Sequence, residues 1–312
     1  MAVYLLFVVA RLVIPLLPER LSYWLATAAG DLLARLPLSN RQAVEDNLRH
    51  ILGPSVAPSV LQRTVREVYR TSVRNYVDMF RIPHIRLEDL ERQVLIQGEH
   101  HFETAHRRGK GVIVATMHLG NFSLLVQMAA RRNLPMMVLV EPLHPERLFR
   151  LVAGLRASKG LIMMPASPGG VKAAIRVLKD GGLVGIATDR DIQHRGALVE
   201  FCGAVTRLPV GAVELALRTG AALLPAYGVR LGYRRHAILV EPALELPEPR
   251  PGERTAEMQA VALQHLAQVN EVYLRRYPGQ WVVFERIWPA ADAQAESAPE
   301  RETGAAGSGG KG

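Results

Sequence analysis

The sequence predicts an α/β protein with a central, mainly parallel or mixed sheet flanked by helices and preceded by an N-terminal helical segment that anchors it to a membrane. Three observations predict this. After Gly98, short β-rich runs such as "GVIVATM", "PMMVLVEP", "GLIMMP", "GLVGIATD" and "AALLPAYGV" alternate with segments of helical periodicity, as strands and helices do in a layered sheet. Before Gly98 the apolar residues recur at helical spacing instead. At the extreme N-terminus, "VYLLFVVARLVIPLLP" is almost wholly apolar. With 312 residues, 49% of them hydrophobic, the chain can bury the core of one large domain.

Each element follows in order. The apolar run at residues 3–18 is interrupted by Arg11 and Pro15 and falls short of the roughly 20 residues a spanning helix needs, so it lies in the interface or spans imperfectly. No basic residue precedes it, which argues against a signal peptide, although "ATA" at residues 26–28 resembles a cleavage site. In "ERLSYWLATAAGDLLARL", Leu21, Trp24, Leu25, Ala28, Leu32 and Leu36 share helical spacing, which fits a second, amphipathic helix at a membrane; two core helices of a soluble protein are the alternative. Residues 41–91 read as packing helices, separated by the breakers Gly53, Pro54 and Pro58. The expected organisation is therefore membrane-associated helices at 1–40, an α/β domain at 41–290 and a disordered tail at 291–312, which is rich in small and polar residues and lacks apolar periodicity.

Composition narrows the function. The single cysteine, Cys202, forbids an internal disulfide, excludes cysteine-based zinc sites and suits the reducing, cytoplasmic side. A net charge of +9 and a pI near 10.0 point to an anionic partner: nucleic acid, anionic lipid or a phosphorylated substrate. Aromatics make up only 6% and do not interleave with the cations, which argues against nucleic acid. The stretch "GEHHFETAHRRGKG" lacks the register of a phosphate-binding loop, and His101 and His106 are five apart rather than the four of a zinc-binding helix. His100, His101 and His106 are expected on a solvated helix face, and no metal is expected.

The strongest local signal is "VATMHLGNFSLLVQ". A buried strand at 112–117 stops at His118, and Asn121 is a good N-cap for the helix that follows. Ligands of open α/β sheets bind beyond the carboxyl ends of the strands, so His118 either does acid/base work or merely satisfies a strand end. Other strand ends carry Glu141, then Asp189 and Asp191 beside Arg190 and Arg195, while a nearby helix carries Arg156 and Lys159. Together they would make an acid/base site with anion-binding groups; taken singly, each also fits a surface ion pair. Arg207 in "RLPVGAVELALRTGA" is a weaker anion-binding candidate. The segment "YPGQWVVFERIW" either sits near headgroups or packs as a final strand or turn over the sheet.

"MHLGNF", "VEPLHPERLF" with "LRASKG", "TDRDIQHRGALVEFCGAVTRLPVGAVELALRTGAALLPAY" and "YPGQWVVFERIW" together resemble the bacterial lipid A biosynthesis acyltransferase family, within the glycerolipid acyltransferase superfamily, over residues 11–288. Their style is closer to the branch that acylates phosphatidylinositol mannosides than to the lauroyl or myristoyl lipid A branch. The resemblance implies that His118 is the general base on an acceptor hydroxyl, which attacks the thioester of acyl-CoA or acyl carrier protein. It implies oxyanion donors around Gly120 and Asn121 or a nearby cation, phosphate or sugar recognition by Arg156, and shaping of the site by Glu141, Asp189 and Asp191. It also implies no cofactor, and a place on the cytoplasmic face of the inner membrane among membrane lipids. The sequence departs from the family at one position: the motif has Asp or Glu five residues after the histidine, where this chain has Ser123. Serine cannot stabilise an imidazolium, and loss of the acid in a serine-protease triad costs about 10⁴ in rate. Asp191, Asp189 or Glu141 would have to compensate. The alternatives are an impaired relative that binds lipid or acts as a scaffold, and a soluble acyl-thioester hydrolase.

Overall fold

The computed structural model describes residues 2–247 and 255–288; the tail expected at 291–312 lies outside them. In chain order the elements are α1 (Ala2–Val13), α2 (Glu19–Leu33), α3 (Arg41–Leu52), α4 (Pro58–Arg81), α5 (Leu87–Glu91), β1 (Val94–Gln97), α6 (Glu99–Arg107), β2 (Val112–Thr116), α7 (Phe122–Leu125), α8 (Gln127–Arg131) and β3 (Met136–Val140). They continue with α9 (Glu146–Ala157), β4 (Ile162–Pro165), α10 (Pro168–Lys179), β5 (Leu183–Ala187), β6 (Ala197–Phe201), β7 (Ala204–Leu208), α11 (Gly211–Thr219), β8 (Ala222–Gly232), β9 (Arg235–Val240) and α12 (Thr255–Arg276).

Seven strands form one sheet in the order β1-β9-β8-β2-β5-β3-β4. Every neighbouring pair is parallel except β8 and β9, so the sheet is mixed and mainly parallel. β6 and β7 form a separate antiparallel hairpin. Successive side chains of a strand point to opposite faces, and here the two faces differ. Ile113, Ala115, Leu223, Tyr227, Val184 and Met137 join a continuous core with α10, α11 and α12. On the opposite face, Val114, Met136, Val138, Gly185, Leu224 and Ala226 line a cavity of about 1930 Å³ instead.

The N-terminal helices pack with a second apolar surface to spare. α1 lays Tyr4, Phe7 and Ala10 toward a small core with Met79, Phe80 and Val152, yet Val3, Leu5, Leu6, Val9 and Leu12 are exposed. α2 buries Ser22, Ala26 and Gly30, four apart, on α4; a Cβ on Gly30 would stand 2.6 Å from Arg70 Cα, so only a small residue allows that approach. Arg70 then clasps Asp31 in a two-toothed ion pair at 2.7 and 2.8 Å. The residues expected to make the apolar face of α2, among them Leu21, Trp24, Leu25 and Leu32, are exposed. Among the described residues, no helix is long and apolar enough to cross a membrane.

Candidate active site

Parallel pairing builds the centre of the site. Thr116 on β2 is in register with Ala187 on β5, so two further residues along each strand bring His118 and Asp189 side by side. His118 Nδ1 lies 2.9 Å from Asp189 Oδ1, and the His118 backbone N–H donates to Oδ2 at 2.9 Å. Trp281 Nε1 donates to the same Oδ2 at 2.8 Å. Asp189 is fully buried, and burial alone would raise its pKa. The facing His118 charge and the hydrogen bonds from His118 and Trp281 outweigh that and hold its carboxyl below the ordinary aspartate range. An ionised Asp189 is an acceptor only, so the ring proton facing it sits on Nδ1, and in the neutral imidazole Nε2 is the nitrogen that can accept a proton.

The turn that presents His118 is clamped by the C-terminal segment. Val282 N–H donates to His118 O at 2.9 Å, and Gly120 N–H donates to Gln280 O at 2.8 Å. Gly120 has φ +56°, and a Cβ there would fall 2.0 Å from Gly228 O, so this position admits glycine alone. Asn121 caps α7 as expected, accepting from Leu124 N–H at 3.1 Å, but α7 is a single turn that breaks into α8. Because Gly120 N–H is already bonded to Gln280, it is not spare for an oxyanion.

Ser123 lines the cavity and is buried. Among the described residues no hydrogen bond joins its side chain to His118; its carbonyl accepts from Gln127 Nε2. The carboxylate on the imidazole is therefore Asp189, arriving from the neighbouring strand. Asp191, two residues on, accepts from the backbone N–H groups of Arg195 and Gly196 at 3.3 and 2.7 Å and orders the loop before β6. Glu141, just after β3, accepts from Arg190 at 3.2 Å. Arg190 is also held by both oxygens of Glu285 at 2.6 and 2.8 Å, which raises its pKa and neutralises it as an anion receptor.

Arg156 differs from the other cations. It stands on α9 at the cavity, 5.4 Å from the Phe122 ring centroid, and pairs with no carboxylate among the described residues; its buried Nε has no hydrogen-bond partner. Burial pulls its pKa down from the usual arginine value, the mark of a cation lacking a counter-charge. The Phe122 ring meets the His118 ring edge-on at 5.4 Å, so one aromatic side chain lies against both His118 and Arg156. Arg195 is exposed at the cavity mouth. Lys159 and Arg207 are engaged elsewhere, on Pro83 O and Gly196 O, each at 3.0 Å, and neither lines the cavity.

Two participants escaped sequence reasoning. The segment holding Trp281 is expected to lie near headgroups or to pack over the sheet, and the Trp281 indole bonds Asp189; nothing in "YPGQWVVFERIW" singles it out from the other aromatics. Phe122 was passed over although it lies inside the histidine motif. Among the described residues no group of three His, Cys, Asp or Glu side chains is arranged to hold a metal ion.

This arrangement brings together at one sheet edge a histidine paired to a buried carboxylate, a half-buried arginine with no carboxylate partner among the described residues, and an apolar cavity. The sequence profile described as "Bacterial lipid A biosynthesis acyltransferase" matches residues 1–289. The phosphatidylinositol mannoside acyltransferase of Mycobacterium tuberculosis (strain H37Rv) is 31% identical over 268 residues, covering 83% of this chain and 81% of that protein. The protein of the same name from Mycolicibacterium smegmatis is 29% identical over 254 residues, covering 78% of each. The chain belongs to the bacterial lipid A biosynthesis acyltransferase family and is an acyltransferase.

Proposed function

We propose that the protein moves a fatty acyl group from acyl-CoA or acyl carrier protein to a hydroxyl of a phosphorylated glycolipid, a phosphatidylinositol mannoside or a close chemical relative such as a lipid A precursor. The observation that carries this reading is the His118–Asp189 pair at the edge of an apolar cavity that also holds an unpaired Arg156. The acyl chain occupies the cavity along the sheet face. Arg156 receives a phosphate or sugar group, as guanidinium geometry favours. His118 Nε2 takes the proton of the acceptor hydroxyl as its oxygen attacks the thioester carbonyl, and Asp189 stabilises the resulting imidazolium. Collapse of the tetrahedral intermediate breaks the carbon–sulfur bond, and the imidazolium returns the proton to the leaving thiolate. The exposed apolar residues of α1 and α2 lie on the lipid surface at the cytoplasmic face of the inner membrane, beside the acceptor.

Asp189 supplies the negative charge that Ser123 lacks, which favours the enzyme over the impaired, scaffold relative. The experiment is transfer of radiolabelled acyl groups, from acyl-CoA and separately from acyl carrier protein, into a total lipid extract. Transfer by wild type that His118→Ala abolishes is the expected result, with the labelled lipid identifying the acceptor. Free fatty acid formed without acceptor would point to the hydrolase instead, and lipid binding without turnover to the scaffold.

A further inference from the structure

A second buried carboxylate bonds the histidine turn through Asn121. Asp78 on α4 is 3% exposed. Its oxygens accept from the Tyr23 hydroxyl on α2, from Asn121 Nδ2 in the turn and from the Arg230 guanidinium on β8. Arg230 also donates to the Tyr23 oxygen at 3.2 Å. Its backbone N–H and C=O bond the Gln280 side chain at 2.8 and 2.9 Å, and the Gln280 carbonyl holds Gly120 N–H. Asn75, one helical turn before Asp78, donates to Gly120 O. The turn therefore takes a side-chain or backbone bond from each flank of one network.

We infer that Asp78 is a positioning residue for the acyl transfer, fixing the His118–Asn121 turn through the Asn121 amide. The physical reason lies in the amide itself. Asn121 Oδ1 caps α7 only while Nδ2 points at an acceptor; a carboxylate accepts from Nδ2 and cannot donate to Oδ1, so an ionised Asp78 enforces one orientation. That orientation sets the start of α7, hence Phe122, and with it the lateral support of both His118 and Arg156. Tyr23 extends the same carboxylate's grip to α2, whose outer side is apolar and exposed.

This inference rests on the acyl-transfer reading, and the experiment separates the two. Wild-type transfer is measured first; its absence overturns that reading. kcat and KM are then compared for Asp78→Asn, Asn121→Ala and the double variant. If Asp78 acts through Asn121, each single variant lowers kcat by about 10²-fold, the scale of a misplaced catalytic group. KM should hold within about twofold, and the double variant should be no worse than the poorer single. Additive losses, or a raised KM with kcat intact, overturn it. Should Asp78→Asn fail to fold, Tyr23→Phe takes its place in the cycle, with the same non-additivity expected. Hydrogen exchange of the 118–125 peptide gives a readout independent of turnover. Faster exchange there than in the rest of the chain supports the inference, and unchanged exchange overturns it.

Discussion

At the scale of single residues, the fate of Ser123 decides whether the site is whole. A carboxylate reaches His118 from the next strand, because Thr116 and Ala187 are in register and His118 and Asp189 each lie two residues beyond. Asp189→Asn is therefore expected to lower kcat by about 10³–10⁴ while leaving KM nearly unchanged, by analogy with triads whose acid becomes an amide. Ser123→Asp should gain little, since Asp189 already pairs with His118 Nδ1; steady-state kinetics of the two variants checks this. His118, Glu141, Arg156, Asp189 and Asp191 were legible as residues because each follows a strand or sits on the next helix. Which acid meets the histidine was not, since strand order and register are long-range properties that residue spacing does not encode. Arg190 and Lys159 illustrate the same limit: their charge is readable, and their partners Glu285 and Pro83 O lie 95 and 76 residues away.

At the scale of elements, β5 shows how a strand's pattern serves the cavity. "GLVGIATD" was readable as a buried strand, and its Gly185 would ordinarily count as a weakness in a strand interior. Here Gly185 faces the cavity, and a Cβ would meet the mobile end of Met136 at 2.9 Å. Gly185→Leu is expected to keep the fold, displacing Met136 and filling part of the cavity, and to shift preference toward shorter acyl donors. Competition between two donors of different length in one reaction gives that ratio directly. The α1 and α2 helices were legible from their apolar spacing, but the same pattern fits a buried or an outward face. Only packing separates them: the small residues Ser22, Ala26 and Gly30 take the contact with α4, and the large ones are left outside.

At the scale of the molecule, charge and apolar surface converge. The chain carries +9 net charge, and α1 and α2 expose Leu6 and Trp24, each 64% accessible. Leu6→Glu and Trp24→Glu are each expected to weaken binding to anionic vesicles at least about tenfold, since withdrawing such a side chain from lipid forfeits about 2 kcal/mol. Co-sedimentation measures this, and an unchanged melting temperature shows that the fold is intact. Acid sensitivity has a separate origin in His236, which is 2% exposed. Burial, and secondarily the Arg230 charge, push its pKa down to about 4. The unfolded chain takes up that proton near pH 6.5 and the folded one does not, so stability is lost as pH falls from about 6.5 through 4, by about 3 kcal/mol at the end of the window. Urea midpoints at pH 7 and pH 4.5 should differ less in His236→Leu than in wild type.

The two unlike faces of the sheet carry a last consequence. One face is finished by α10, α11 and α12, whereas the other meets a cavity. A bound acyl chain would stand where a protein of this class usually places its own side chains, and so would complete the core from outside the sequence. Folding and substrate supply are then thermodynamically linked: any saturating ligand of that face raises the unfolding free energy by RT ln(1 + [L]/Kd). On the proposed reading, the enzyme without acyl donor is its less stable form, and a saturating donor should raise its melting temperature.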